Sequence, residues 1–151
     1  MISDLISERS VIVCCGSGGV GKTTMAASIG LAAATLGKRV VVITVDPARR
    51  LGDALGLKEG LGADPARVTL PADIPGELWA MMLDPAVELE RVIRTTAVRP
   101  GQADEALANP FTQSIATSLG GTQEYMATEA VYRLTTDEAF DLVVVDTPPS
   151  D

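Results

Sequence analysis

The chain has 151 residues, 46% of them hydrophobic, which is enough for one domain with a real core and too few for two of ordinary size. Twelve Lys and Arg against 20 Asp and Glu leave a net charge of −8, so nothing draws the protein generally toward phosphate backbones or anionic membranes, and no nucleic-acid partner is expected. Without a basic segment leading into an apolar signal run, and with no apolar stretch of about 18 residues, the sequence reads as soluble and cytoplasmic, in a reducing setting.

The first predicted element is a strand, Ser10 to Cys15, β-branched and apolar, which ends at Gly16. Cys14 and Cys15 follow one another on it, so their side chains point to opposite faces; they suit small packing residues better than a disulfide or a converging metalloid site. A helix pattern runs from Lys22 to Leu36 and closes at Gly37. Lys38 to Asp46 is apolar almost throughout, as a strand covered on both faces should be. Pro47 then opens one or two helical turns, and Gly56 to Gly76 is a long connection rich in Gly, Pro and Asp.

Glu77 to Asp84 returns to strand character. Asp84 and Pro85 cap a helix reaching about Thr96, with Val87, Leu89, Val92 and Ile93 spaced for one buried face. Val98 to Asn109 has no clear pattern. Phe111, Ile115 and Leu119 recur every four residues before Gly120 and Gly121, and Thr122 to Thr136 is a further helix. Met81, Met82, Met126 and that Phe111 series could line a groove for a hydrophobic client, although such spacings more often mark core. Phe140 to Ser150 is an apolar strand running through Asp146 into a proline turn.

Four strands separated by helical patterns predict an α/β fold, a parallel sheet with helices on both faces, forming a single domain over residues 1–151. The first, second and fourth strands end in polar loops, and ligands of such sheets sit beyond those carboxyl ends. The first of these loops, Gly16 to Thr23, reads GSGGVGKT and satisfies G-x-x-x-x-G-K-[ST] between a strand and a helix. Its glycines let consecutive N–H groups face phosphate oxygens, Lys22 neutralises the β and γ phosphates, and the Thr23 hydroxyl ligates Mg²⁺. The four fixed positions would coincide by chance in such a chain on the order of once in a few hundred. Asp46 and Asp146, each closing an apolar strand, can serve the metal, directly or through its waters, and one of them can activate water. The chain has no histidine, which leaves carboxylates as the water-activating groups.

Taken together, GSGGVGKTT, VDPARRLGDALG, LWAMMLDP and FDLVVVDTPPS resemble, in order and spacing, the ArsA-like ATPases, the family of the arsenite-pump and tail-anchored-protein-delivery ATPases within the deviant Walker A class. The resemblance implies a P-loop nucleoside triphosphatase that uses ATP and Mg²⁺ to drive ion export or protein delivery. It further implies nucleotide contacts from Gly16, Ser17, Gly18, Gly19, Val20, Gly21, Lys22, Thr23, Thr24 and Asp146, and metal contacts from Thr23, Asp46 and Asp146. The same resemblance implies that Asp46 and Lys22 are the catalytic pair, that Pro47 to Asp53 form switch I and that Asp146 to Pro149 form switch II.

Family members continue well past this loop, so the resemblance implies a chain cut short after switch II. It also implies a homo- or hetero-dimer with a related ATPase subunit, acting with a membrane pump or a hydrophobic client. Ser17 departs from the pattern: most of the class carries a lysine there that reaches across the dimer to the partner's phosphates. A short neutral hydroxyl cannot carry that charge. Three accounts stay open: a partner subunit supplies the lysine, the chain is a catalytically weak regulatory subunit, or Arg49 or Arg50 substitutes.

Overall fold

The computed structural model describes residues 1–46, 50–118, 121–136 and 139–148. Contacts divide the chain into two compact units, Met1–Leu83 with Arg133–Asp151, and Asp84–Tyr132. The first unit holds a five-stranded sheet in the order β1-β5-β2-β4-β3, made of β1 (Val11–Cys14), β2 (Arg39–Thr44), β3 (Ala66–Arg67), β4 (Glu77–Met82) and β5 (Leu142–Asp146). β1, β5, β2 and β4 are parallel neighbours, and β3 alone runs antiparallel, against β4. The α/β class expected from the sequence is therefore the observed one. β3 lies within what the sequence suggested was only a connection; two residues are too few to show an alternating pattern.

Packing against the sheet explains the apolar runs. On β2 and β5, Val40, Val42, Leu142 and Val144 belong to the same core cluster as Ala26, Ile29, Ala33 and Ala34 of helix α2 (Lys22–Thr35). Their neighbours Val41, Ile43, Val143 and Val145 alternate to the other face and are buried as well. Both faces being covered, a polar residue has no favourable place on either strand until its end. α2 lies close because its contact face is built from alanine and Gly30: a Cβ at position 30 would stand 2.7 Å from Val42 Cγ2 and 2.9 Å from Leu78 Cδ1.

Two glycines set the limits of α2. Gly21 holds the N-cap at φ 86°, and Gly37, also at φ 86°, closes the far end. There the Gly37 N–H donates to Ala34 O (2.9 Å) and the Lys38 N–H to Ala33 O (3.0 Å), a pairing that satisfies carbonyls the helix leaves open. The amino-terminal helix α1 (Ile2–Glu8) was hidden in a polar stretch; it docks through Ile6, which is 1% exposed in the core. A short helix, α3 (Arg50–Ala54), follows β2 and buries Leu51. Pro47 to Arg49, Leu119, Gly120 and Pro149 to Asp151 lie outside the described residues.

The second unit is helical: α4 (Pro85–Thr96), α5 (Gln102–Ala108), α6 (Pro110–Ser118) and most of α7 (Thr122–Thr136). Asp84 caps α4 as expected, its side chain accepting from the Ala86 (2.9 Å) and Val87 (3.3 Å) N–H groups. The buried face of α4 differs from expectation. Val87, Leu89, Val92 and Ile93 are only half-buried, while Glu88 is 3% exposed and its carboxylate lies 3.5 Å from Arg91. The apolar spacing did not show that a paired carboxylate would take the most enclosed position. Met81 and Met126 are buried, as core residues should be, but Phe111 is 72% exposed.

Candidate nucleotide-binding site

The site is assembled by register. Cys14 pairs with Asp146, and Asp146 with Thr44, so β1, β5 and β2 end side by side at one level. The loop after β1 carries Gly19 at φ 77° and Gly21 at φ 86°. Space is open around both, with nothing within 4 Å of where a Cβ would lie, so glycine is required there for the left-handed backbone and not for room. That loop, with Asp46, Arg50 and Thr147, lines a cavity of about 300 Å³.

Of the residues singled out from sequence, Gly18, Gly19, Gly21, Lys22, Thr23, Thr24 and Asp46 line this cavity. Gly16, Ser17, Val20 and Asp146 do not line it. Ser17 is exposed, and its main-chain oxygen accepts a hydrogen bond from Lys22 Nζ at 2.9 Å. Any residue at position 17 would offer that carbonyl, so the contact is indifferent to the missing lysine.

Asp146 stands behind Thr23. It is 1% exposed; its Oδ2 accepts from the Thr23 hydroxyl at 2.8 Å and from the Thr44 hydroxyl at 3.2 Å. Its other oxygen, Oδ1, is buried with no hydrogen-bond partner among the described residues. An unsatisfied buried acceptor costs about 1–3 kcal/mol, and more when charged. A hard, oxygen-seeking divalent cation would satisfy it, and the Thr23 hydroxyl beside it is a second oxygen donor of the right kind. The residues present therefore fit Mg²⁺. Among the described residues no three Cys, Asp or Glu side chains gather into a metal cage, so protein ligands would be few and phosphate oxygens would complete the set.

Asp46 is half-buried at the end of β2. Its N–H donates to Thr44 Oγ1 (3.2 Å), and its Oδ2 lies 3.2 Å from Arg50 Nη1. Thr44 thus touches both strand-end aspartates. Nothing in the sequence pointed to it except a hydroxyl closing an otherwise apolar strand. Thr147 ties the third loop to the first strand, its hydroxyl donating to Cys14 O at 2.7 Å.

Both cysteines are free, Cys14 half-buried at the end of β1 and Cys15 exposed just beyond the strand that was expected to include it. Burial, followed by the neighbouring charges of Asp146 and Cys15, pushes the Cys14 thiol above its ordinary value. A raised value leaves less thiolate at any given pH. At pH 8, labelling with a disulfide reagent should show one fast thiol and one slow one, and Cys15→Ser should remove the fast phase. A surviving fast phase in that variant would contradict the assignment.

A family model described as anion-transporting ATPase matches residues 9–151. The chain belongs to that family. Among similar proteins are "ATPase GET3" of Malassezia globosa, 32% identical over 151 residues, and "ATPase ASNA1 homolog 1" of Paramecium tetraurelia, 31% identical over 137. "ATPase get3" of Aspergillus niger is 33% identical over 139 residues. The matches take in 99%, 89% and 89% of this chain but 42%, 39% and 38% of those proteins, so the chain spans about two-fifths of their length. Family membership accounts for the P-loop architecture read from the sequence. Among the described residues no helix is long and apolar enough to cross a membrane.

Proposed function

We propose that this chain is the nucleotide-binding part of an ATPase that hydrolyses Mg·ATP and couples hydrolysis to a conformational change, driving ion export or protein delivery. The observation that supports this best is the meeting of Lys22, Thr23 and Asp46 at one cavity, with Asp146 buried behind Thr23. The three relatives compared above are named ATPases, which favours turnover over a purely regulatory subunit.

On this reading the loop N–H groups and the amino end of α2 cradle the phosphates, and the Lys22 ammonium exchanges Ser17 O for the β and γ oxygens. Mg²⁺, held by Thr23 and Asp146, would neutralise phosphate charge. Asp46 accepts a proton from the attacking water, as a half-buried carboxylate at the cavity wall can. We infer that the working form is a homo- or hetero-dimer with a related ATPase subunit. Its partner is a membrane pump or a hydrophobic client.

Equilibrium dialysis with Mg·ATP, followed by single-turnover hydrolysis of labelled ATP, tests the proposal. The chain should retain nucleotide. Asp46→Asn should leave the Kd within about threefold and slow hydrolysis by about 10²–10⁴-fold, the usual contribution of a general base. A folded sample that retains no nucleotide would overturn the reading.

A further inference from the structure

Among the described residues the cavity lining contains two cations, Lys22 from the loop and Arg50 from the first turn of α3. Arg50 Nη1 lies 3.2 Å from Asp46 Oδ2; the guanidinium side chain is 68% exposed and the Asp46 side chain 20%. With the guanidinium largely in solvent, an ion pair at this i,i+4 spacing contributes little. That is small beside the attraction of a guanidinium for phosphoryl oxygens, which it meets with two parallel hydrogen bonds. The loop itself is short of charge, since position 17 is an exposed serine. In a chain of net charge −8, holding a polyanion depends on cations placed where it binds.

We propose that Arg50 is a catalytic residue that changes partners during turnover, leaving Asp46 for the terminal phosphate of ATP. This rests on the ATPase reading and names the group that supplies the positive charge Ser17 cannot. The exchange does two things at once. The guanidinium meets the charge that gathers on the equatorial oxygens of the γ phosphoryl group, and the Asp46 carboxylate gives up its ion pair with Arg50 as it takes the proton of the attacking water. In the reaction the water oxygen bonds to the γ phosphorus as the bond to the β–γ bridging oxygen breaks, leaving ADP and inorganic phosphate. The proton that the water loses passes to Asp46 and then to the released phosphate.

The side chain of Arg50 is mostly exposed, so Arg50→Ala should fold, which an unchanged melting temperature would verify. Expected results are a Kd for Mg·ADP within about twofold of wild type, and an affinity for Mg·ADP with aluminium fluoride, a mimic of the transferring phosphoryl group, at least tenfold weaker. Single-turnover hydrolysis at saturating ATP should fall by about 10²–10³-fold, less than the loss of a full arginine finger because Lys22 remains. Arg50→Lys should fall between the two. Millimolar guanidinium ion should restore part of the rate to Arg50→Ala and none to Asp46→Asn, a rescue that a merely structural role would not give. Wild-type turnover in Arg50→Ala, or equal losses of ADP and ADP–fluoride affinity, would overturn the role of Arg50 and leave the ATPase reading standing. A wild-type chain that binds no nucleotide, or binds it without turnover, would overturn both.

Discussion

Replacing Lys22 by alanine is expected to weaken Mg·ATP binding by about 100-fold and to slow single-turnover hydrolysis by about 1000-fold, without unfolding the protein. The binding figure follows from charge-assisted hydrogen bonds to phosphate, each stronger than a neutral one, at about 1.4 kcal/mol per tenfold. The further loss in rate reflects charge that grows on the phosphoryl oxygens only as the bond breaks, where one missing donor costs about 10²–10³-fold. Stability should hardly change. Lys22 is half-buried and its Nζ donates to a loop carbonyl, Ser17 O, which water can serve in its place. Isothermal titration and a thermal melt on the same sample separate the two effects. A melting temperature lowered by more than about 5 °C would mean that the lysine also holds the loop together.

The largest stability loss is expected at Gly76. A Cβ there would collide with Ala34 O and Lys38 O and stand 2.9 Å from Ala34 Cα, all of them backbone atoms. The same two oxygens accept hydrogen bonds from the Gly76 (2.9 Å) and Glu77 (3.0 Å) N–H groups, so the chain entering β4 is stitched to the end of α2 and the start of β2. Nothing there can rotate aside. Gly76→Ala should cost about 3 kcal/mol, the upper end for overpacking, and lower the melting temperature by roughly 10 °C. Gly30→Ala is the informative comparison, because its new methyl meets only side-chain ends, Val42 Cγ2 and Leu78 Cδ1. It should cost about 1–2 kcal/mol. Equal losses in thermal melts of the two variants would mean that the backbone around Gly76 gives way as easily as a side chain.

The parts of the fold that were readable beforehand are those where one physical demand fixes several residues at once. A phosphate cradle needs glycines, a lysine and a hydroxyl at set spacing, and Gly16 to Thr23 has them. Doubly covered strands need uninterrupted apolar runs, so β2 and β5 stood out and Asp146 was conspicuous at the end of one. α1 was not readable because it contributes a single deeply buried residue, Ile6, from a polar segment. β3 is too short to have a period, and Glu88 is enclosed on a helix whose apolar spacing pointed elsewhere. Strand order, β1-β5-β2-β4-β3, is set by long-range pairing that no local pattern encodes. For that reason Thr44, adjacent to Asp146 only through the sheet, could not be placed beside it from the sequence.

Thr44 has one hydroxyl and two obligations. It donates to Asp146 Oδ2 and accepts from the Asp46 N–H, and as a β-branched residue in a strand it has little freedom about χ1. Turning it toward either neighbour abandons the other. The two strand-end aspartates therefore share a single oxygen atom, and neither can keep its contact with Thr44 unless that hydroxyl stays where the other needs it.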